Sequence, residues 1–175
     1  VDESSSRALR KWKVLYSFDL ENKKAILYYN LPDIYHNNLY GYQFLDFNYC
    51  HNNRGNFVFS FPADTNIYET NLNDYHIAYY AKSRFQVGDI KPVKKEEIKQ
   101  DQGHKQYQLR DSYGAIFFDP FRKRYLRQAK QKISVADYEA KKLERKQSVI
   151  VFNEDFKIIG ESEITSDFAF STIFF

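Results

Sequence analysis

The sequence predicts an all-β protein built from four-stranded antiparallel meanders, the unit of a β-propeller blade. Three observations carry the prediction. First, FLDFNYC, FVFSF, NIYETNL and HIAYYAK, between Phe44 and Lys82, are four short runs rich in Phe, Tyr, Ile and Val. They are separated by HNNRGN, PADT and ND, whose Asn, Asp, Gly and Pro favour turns. Second, three hairpins superpose: LYSFDLENKKAILYY from Leu15, IYETNLNDYHIAYYA from Ile67 and VIVFNEDFKIIGESE from Val149, each with Asp or Asn at the fifth position (Asp19, Asn71, Asn153). Their spacings are 52 and 82 residues. Nearly all of that difference is absorbed by two longer loops, 83–113 in place of 31–43 and 132–147 in place of 62–66. Third, SVIVF and GAIFF are continuous apolar runs, as expected where both faces of a sheet are covered. A β-sandwich is the alternative, and it would show cleaner alternation of polar and apolar residues.

Along the chain, residues 1–11 are polar and expected to fray. Residues 12–30 read as the hairpin of a partial blade, in which WKVLYSFDL and KAILYYN flank a polar tip. Residues 44–82 form the first full blade, and 83–113 a long polar loop. A second blade spans 114–164, with turns at Pro120–Lys123 and Asn153–Asp155 and a helical insertion at 133–147. Ser134 and Asp137 make a capping box for that helix, whose apolar points Val135, Tyr138 and Leu143 are sparse. A further blade is expected to begin at 168–175, where the chain runs into FAFSTIFF. That ending, and a start at Val1 in a chain without Met, give the expectation of a piece of something longer.

Composition excludes more than it assigns. With 16 Phe, 15 Tyr and 28% charged residues among 175, the chain is expected to fold. A net charge of +3 does not imply nucleic acid as a partner. Cys50 is alone inside an apolar strand and reads as an inert core thiol. No run approaches the ~18 apolar residues of a membrane span, and no secretory apolar region is present. The four histidines lack HxH, HxxxH or CxxC company, so no metal site is expected, and the Asp/Asn-rich tips read as turns rather than calcium loops. No GxSxG, Walker or GxGxxG motif occurs, so no cofactor is expected either. Gly114 opens a strand, where its lack of a side chain permits close approach of a neighbour.

NRGNFVFSFPADTNIY, IAYYAKS, YGAIFFDPFRKRYLRQ and SVIVFNEDFKIIGE occur in an order that resembles an uncharacterised family of six-bladed propellers. That family is known from predicted envelope lipoproteins of gut bacteria and is related in shape to TolB-like propellers. The resemblance covers about Phe44 to Phe175 and implies a cell-envelope location, periplasmic or lipid-anchored. It implies no catalytic residues, and the chain shows neither a signal sequence nor a lipobox cysteine.

Blade topology puts the loops 83–113 and 132–147 on one face, where a rigid scaffold presents binding groups. Charge is uneven: residues 121–147 hold ten Lys or Arg against three Asp or Glu, which reads either as an anion-binding patch or as a solvated helix and turn. The expected function is a non-catalytic binding module that recognises a protein, a small molecule or a glycan through the insertion face. Arg84, Lys94, Lys95, Tyr107, Lys141, Lys142 and Arg145 are the candidate binding residues. Further blades, or other copies of the chain, are expected to cover its open faces. The competing expectation is a hydrolase of glycans or peptides with carboxylates in a central channel, for which the inner strands offer Asp46 and Asp119.

Overall fold

A computed structural model describes residues 5–99 and 102–164. Among them, ten strands fall into three antiparallel sheets. β1 (Lys13–Asp19) and β2 (Lys24–Asn30) form a two-stranded sheet. β3 (Asn48–His51), β4 (Phe57–Ser60), β5 (Asn66–Thr70) and β6 (His76–Tyr80) form a four-stranded meander ordered as in sequence. β7 (Ser112–Asp119), β8 (Arg124–Lys130), β9 (Gln147–Phe152) and β10 (Ile158–Ile164) form a second. The strand expected at 168–175 lies outside the described residues.

The turns show why the sequence breaks where it does. Asn52, Asn71 and Asn153 each follow a strand, and each side-chain oxygen accepts from the backbone N–H groups two and four residues on, at 2.9–3.1 Å. This local bonding gives the chain an alternative to continuing the ladder. Asp19 and Asp119 cap tighter turns instead, accepting at 3.0 Å from the N–H of Asn22 and Arg122. Those two turns close at Lys23 and Lys123 with φ of 53° and 51°. The tip of β1–β2 therefore shares its geometry with β7–β8, not with the two hairpins it was aligned to at the fifth position.

β4 shows a strand covered on both faces. Phe57, Phe59 and Phe61 share one face by the two-residue period of a strand and stack on one another at 5.9 Å. Tyr29 from β2 lies parallel to Phe59 at 4.7 Å. On the opposite face, Ser60 meets Arg127 of β8, so both faces are covered by neighbouring sheets. β3 packs beside β7, and Phe156, from the β9–β10 turn, stacks between Tyr79 and Tyr125 at 4.2 and 4.4 Å. One core runs through all three sheets.

Several local expectations are corrected. Residues 6–11 are not frayed: α1 (Ser6–Lys11) is capped by Ser5 and buries Leu9. Phe44 and Leu45 do not begin a strand. Tyr42–Phe44 is a 3₁₀ turn that places Phe44 in the core, because the Tyr35 hydroxyl donates to its carbonyl at 2.8 Å. The long loop holds two short helices, α2 (Lys95–Lys99) and α3 (Gly103–Gln108). The helix expected over 133–147 shrinks to α4 (Val135–Glu139), capped by Ser134 as predicted. Its sparse apolar points anchor no more than a turn or so. At Gly114 a Cβ would overlap the Gln128 amide oxygen on β8, which is the close approach its position suggested.

Candidate functional site

The two insertions are built separately and then joined. The first follows β6 and is pinned at its start, where the Ser83 hydroxyl and the Arg84 N–H donate to the Glu161 carboxylate of β10 at 2.5 and 2.8 Å. It turns at Gly88, whose φ of +80° suits glycine. Glu97 accepts from the Lys94 N–H at 2.8 Å and from the Gln106 side chain at 3.1 Å, tying α2 to α3. Arg110 then closes the loop by donating to the Lys91 carbonyl at 2.8 Å and the Gln106 carbonyl at 3.1 Å.

Three hydrogen bonds unite this loop with the second insertion. The Lys132 N–H donates to Asp111 at 2.9 Å, the Ile133 N–H to the Gln108 carbonyl at 3.0 Å, and Arg145 to the Arg110 carbonyl at 2.6 Å. The Arg145 guanidinium also lies 4.9 Å over the Tyr107 ring, and Lys105 lies 5.8 Å over Tyr138 of α4. The segments 83–113 and 132–147 are thus adjacent parts of one surface.

A cleft of about 460 Å³ opens where they meet, lined among others by Asp89, Lys91, Gln106, Arg110, Asp111 and Lys132. Lys91 and Lys132 are exposed, and neither pairs with a carboxylate among the described residues. Arg110 is largely occupied by backbone carbonyls, and burial lowers its pKa. Such a site can offer two free ammonium groups and two carboxylates to a polar ligand.

None of the seven residues singled out from sequence lines this cleft. Lys94 precedes α2 and Lys95 begins it, Lys141 and Lys142 follow α4, and Arg84 lies over the Phe85 ring at 4.8 Å; all five are exposed on the insertion loops. Tyr107 and Arg145 are different. Tyr107 packs on Phe44 at 5.2 Å, and Arg145 is buried, donating to the carbonyls of Gln131, Lys130 and Arg110 at 2.6–2.8 Å. Both hold the insertions together. Arg127, counted in the basic cluster, is fully buried as well, so that cluster is neither a continuous patch nor wholly solvated. Lys91, Arg110 and Lys132 were missed because charge alone does not separate cleft-lining cations from solvated ones.

The other chemistry-bearing residues do not converge. Asp119 is the last residue of β7 and spends its carboxylate on its own turn and on Arg122, 3.0 Å away. Asp46 is exposed and precedes β3, so the two carboxylates stand at opposite ends of corresponding strands. Burial pushes the Cys50 thiol up to about 12, which leaves it protonated and unreactive. No three His, Cys, Asp or Glu among the described residues are placed to hold a metal ion. No helix among the described residues is long and apolar enough to cross a membrane.

Fold and site together define an all-β protein of sequential antiparallel meanders carrying a loop-built cleft. Residues 2–163 match the family model described as a domain of unknown function, DUF4221, and the chain belongs to that family. It is similar to a crystal structure of a DUF4221 family member from Bacteroides vulgatus, with a TM-score of 0.72 and 25% identity. That match covers 91% of this chain and 46% of the other, so the chain spans about half the length of its relative. No curated protein matches it.

Proposed function

We propose that the protein is a non-catalytic binding module that takes its ligand in the cleft between the two insertions. One observation carries the reading: two loops that interrupt an otherwise compact repeat close on each other and leave unpaired cations at their junction. Binding groups on loops held by a rigid sheet scaffold are a common arrangement. Lys91, Lys132 and Arg110 outnumber Asp89 and Asp111 in the lining, and this positive balance favours a ligand that carries a carboxylate, a phosphate or an acidic sugar. The whole is read as a six-bladed, TolB-like propeller, with each four-stranded meander as one blade. Support comes from two meanders in sequence order, from β3 lying beside β7, and from a relative about twice as long. A place in the cell envelope, periplasmic or lipid-anchored, completes the reading and rests on the sequence resemblance. The hydrolase of glycans or peptides is the alternative, and of its two carboxylates Asp119 is already engaged by its own turn and Arg122.

The test is a binding screen on the full-length protein with citrate, glucuronate, N-acetylneuraminate and inorganic phosphate as probes. Lys91 and Lys132 reversed to Glu should abolish binding of the selected probe, and the parent's binding should weaken as salt rises. Reversing Lys94, Lys95, Lys141 and Lys142 should weaken it several-fold through the surrounding field. Melting temperatures should stay at the parent value, because these side chains are exposed. A probe bound equally well by parent and by the Lys91/Lys132 variant would reject the cleft.

A further inference from the structure

A second cleft, of about 560 Å³, lies between the end of β2 with its following 3₁₀ turn (Asp33–Tyr35) and the β5–β6 hairpin. Its chemistry is unlike that of the first. Tyr29, Leu31, Tyr68 and Leu72 give it apolar and aromatic walls, while Asp33, His36, Asn73 and His76 supply polar groups. No Lys or Arg lines it. The rings are fixed in place. Tyr68 and His76 stack at 5.5 Å and 13°, the Tyr29 hydroxyl lies 3.2 Å from His76 Nδ1, and the Tyr68 hydroxyl donates to Asp64 at 2.6 Å. His36 Nδ1 lies 3.1 Å from an Asp33 oxygen, and its Nε2 is buried without a hydrogen-bond partner.

Charge and donor inventory narrow the ligand. An anion would meet the Asp33 carboxylate and no cation. A metal cation would find no three His, Cys, Asp or Glu placed to hold it among the described residues, and the Asp33 carboxylate already faces His36 Nδ1. A purely apolar ligand would bury those polar groups without partners, at the usual cost of unmet hydrogen bonds. A pyranose satisfies all of these demands. Its axial C–H face packs on aromatic rings, and its hydroxyls both donate and accept, so they match carboxylate, amide and either imidazole tautomer. The volume is ample for a sugar ring and within the range of ordinary ligand pockets. We propose that this cleft binds an uncharged pyranose, free or as a unit of a glycan, independently of the cleft between the insertions.

The experiment is saturation-transfer NMR on the full-length protein. The probes are glucose, galactose, mannose, N-acetylglucosamine and the disaccharides maltose, cellobiose and lactose, at millimolar concentration. At least one sugar should bind, and binding of disaccharides over monosaccharides would identify a glycan unit as the better form. Asn73→Ala and Asp33→Ala, both at exposed positions, should each weaken that sugar about tenfold with melting temperature unchanged. The Lys91/Lys132 charge reversal should leave it bound as in the parent, which separates this site from the first. Three results would overturn the proposal: no sugar of the panel binds, binding survives both cleft substitutions, or it is lost with the insertion-face variant instead.

Discussion

Glu69 on β5 has no exposed surface, yet its carboxylate accepts from the amides of Asn52 and Asn56 at 2.6 and 3.0 Å and from the hydroxyls of Tyr75 and Tyr79 at 2.7 and 3.2 Å. Arg54 stands 3.6 Å away. Burial alone would raise its pKa, but the hydrogen bonds from Tyr75, Asn56 and Asn52 and the charge of Arg54 outweigh it, and the pKa is lowered below the ordinary 4.5. A carboxylate with a lower pKa in the folded state adds stability that is complete above about 4.5 and is lost as pH falls through the folded value. Glu69→Gln sets an amide donor among donors and should cost about 1–3 kcal/mol at neutral pH. In acid titrations followed by circular dichroism, the variant should also lose stability less steeply below pH 4.5 than the parent. The same side chain in an alternating strand pattern is indistinguishable from a solvent-facing glutamate.

Between elements, two arginines do the joining. Arg127 leaves β8 and donates to Ser60 Oγ and to the carbonyls of Thr65, Ala81, Phe61 and Asp64 at 2.7–3.3 Å, with Tyr113 lying 3.7 Å from its guanidinium carbon. Burial lowers its pKa to about 10, so it stays charged at neutral pH. Five donors in a planar fork match this set of acceptors, which a single ammonium cannot. Arg145 does the corresponding work for the insertions, across Lys130, Gln131 and Arg110. Arg127→Leu strands a ring of buried carbonyls and should cost at least ~3 kcal/mol, with Arg127→Lys recovering only part. Arg145→Ala should lower the melting temperature too, by a smaller amount, whereas Lys141→Ala and Lys142→Ala should not. Calorimetry on the five variants checks the ranking, and an unchanged melting temperature for Arg145→Ala would remove its role as a latch.

Across the whole molecule, the two four-stranded sheets cover each other, but β1–β2 is left with Tyr16, Phe18, Leu20 and Leu27 between 61% and 86% exposed. Exposed apolar side chains on a short two-stranded sheet favour association through the face or the open edge. Expressed as these 175 residues, the chain should therefore self-associate. Replacing Tyr16, Phe18 and Leu27 with Lys should return it towards monomer in sedimentation velocity. A monomeric parent at tens of micromolar would refute the expectation, and the exposed face would then be tolerated as it stands.

The sequence by itself determined the local grammar: strand runs of Phe, Tyr, Ile and Val, and the Asn and Asp residues that end them by bonding their own turns. Those signals are short-range, since an Asx turn needs only the next four residues. Loop-length arithmetic also placed the two insertions, because a repeat exposes whatever interrupts it. The tertiary structure alone decided which cations are structural. Arg127 and Arg145 read in sequence like Lys141 and Lys142, but their neighbours are carbonyls 14 to 66 residues away along the chain. It likewise decided that Lys91 and Lys132 share a cleft while Asp46 and Asp119 stand apart. Burial and pairing depend on the partner that arrives from another sheet, and no local pattern of residues encodes that partner.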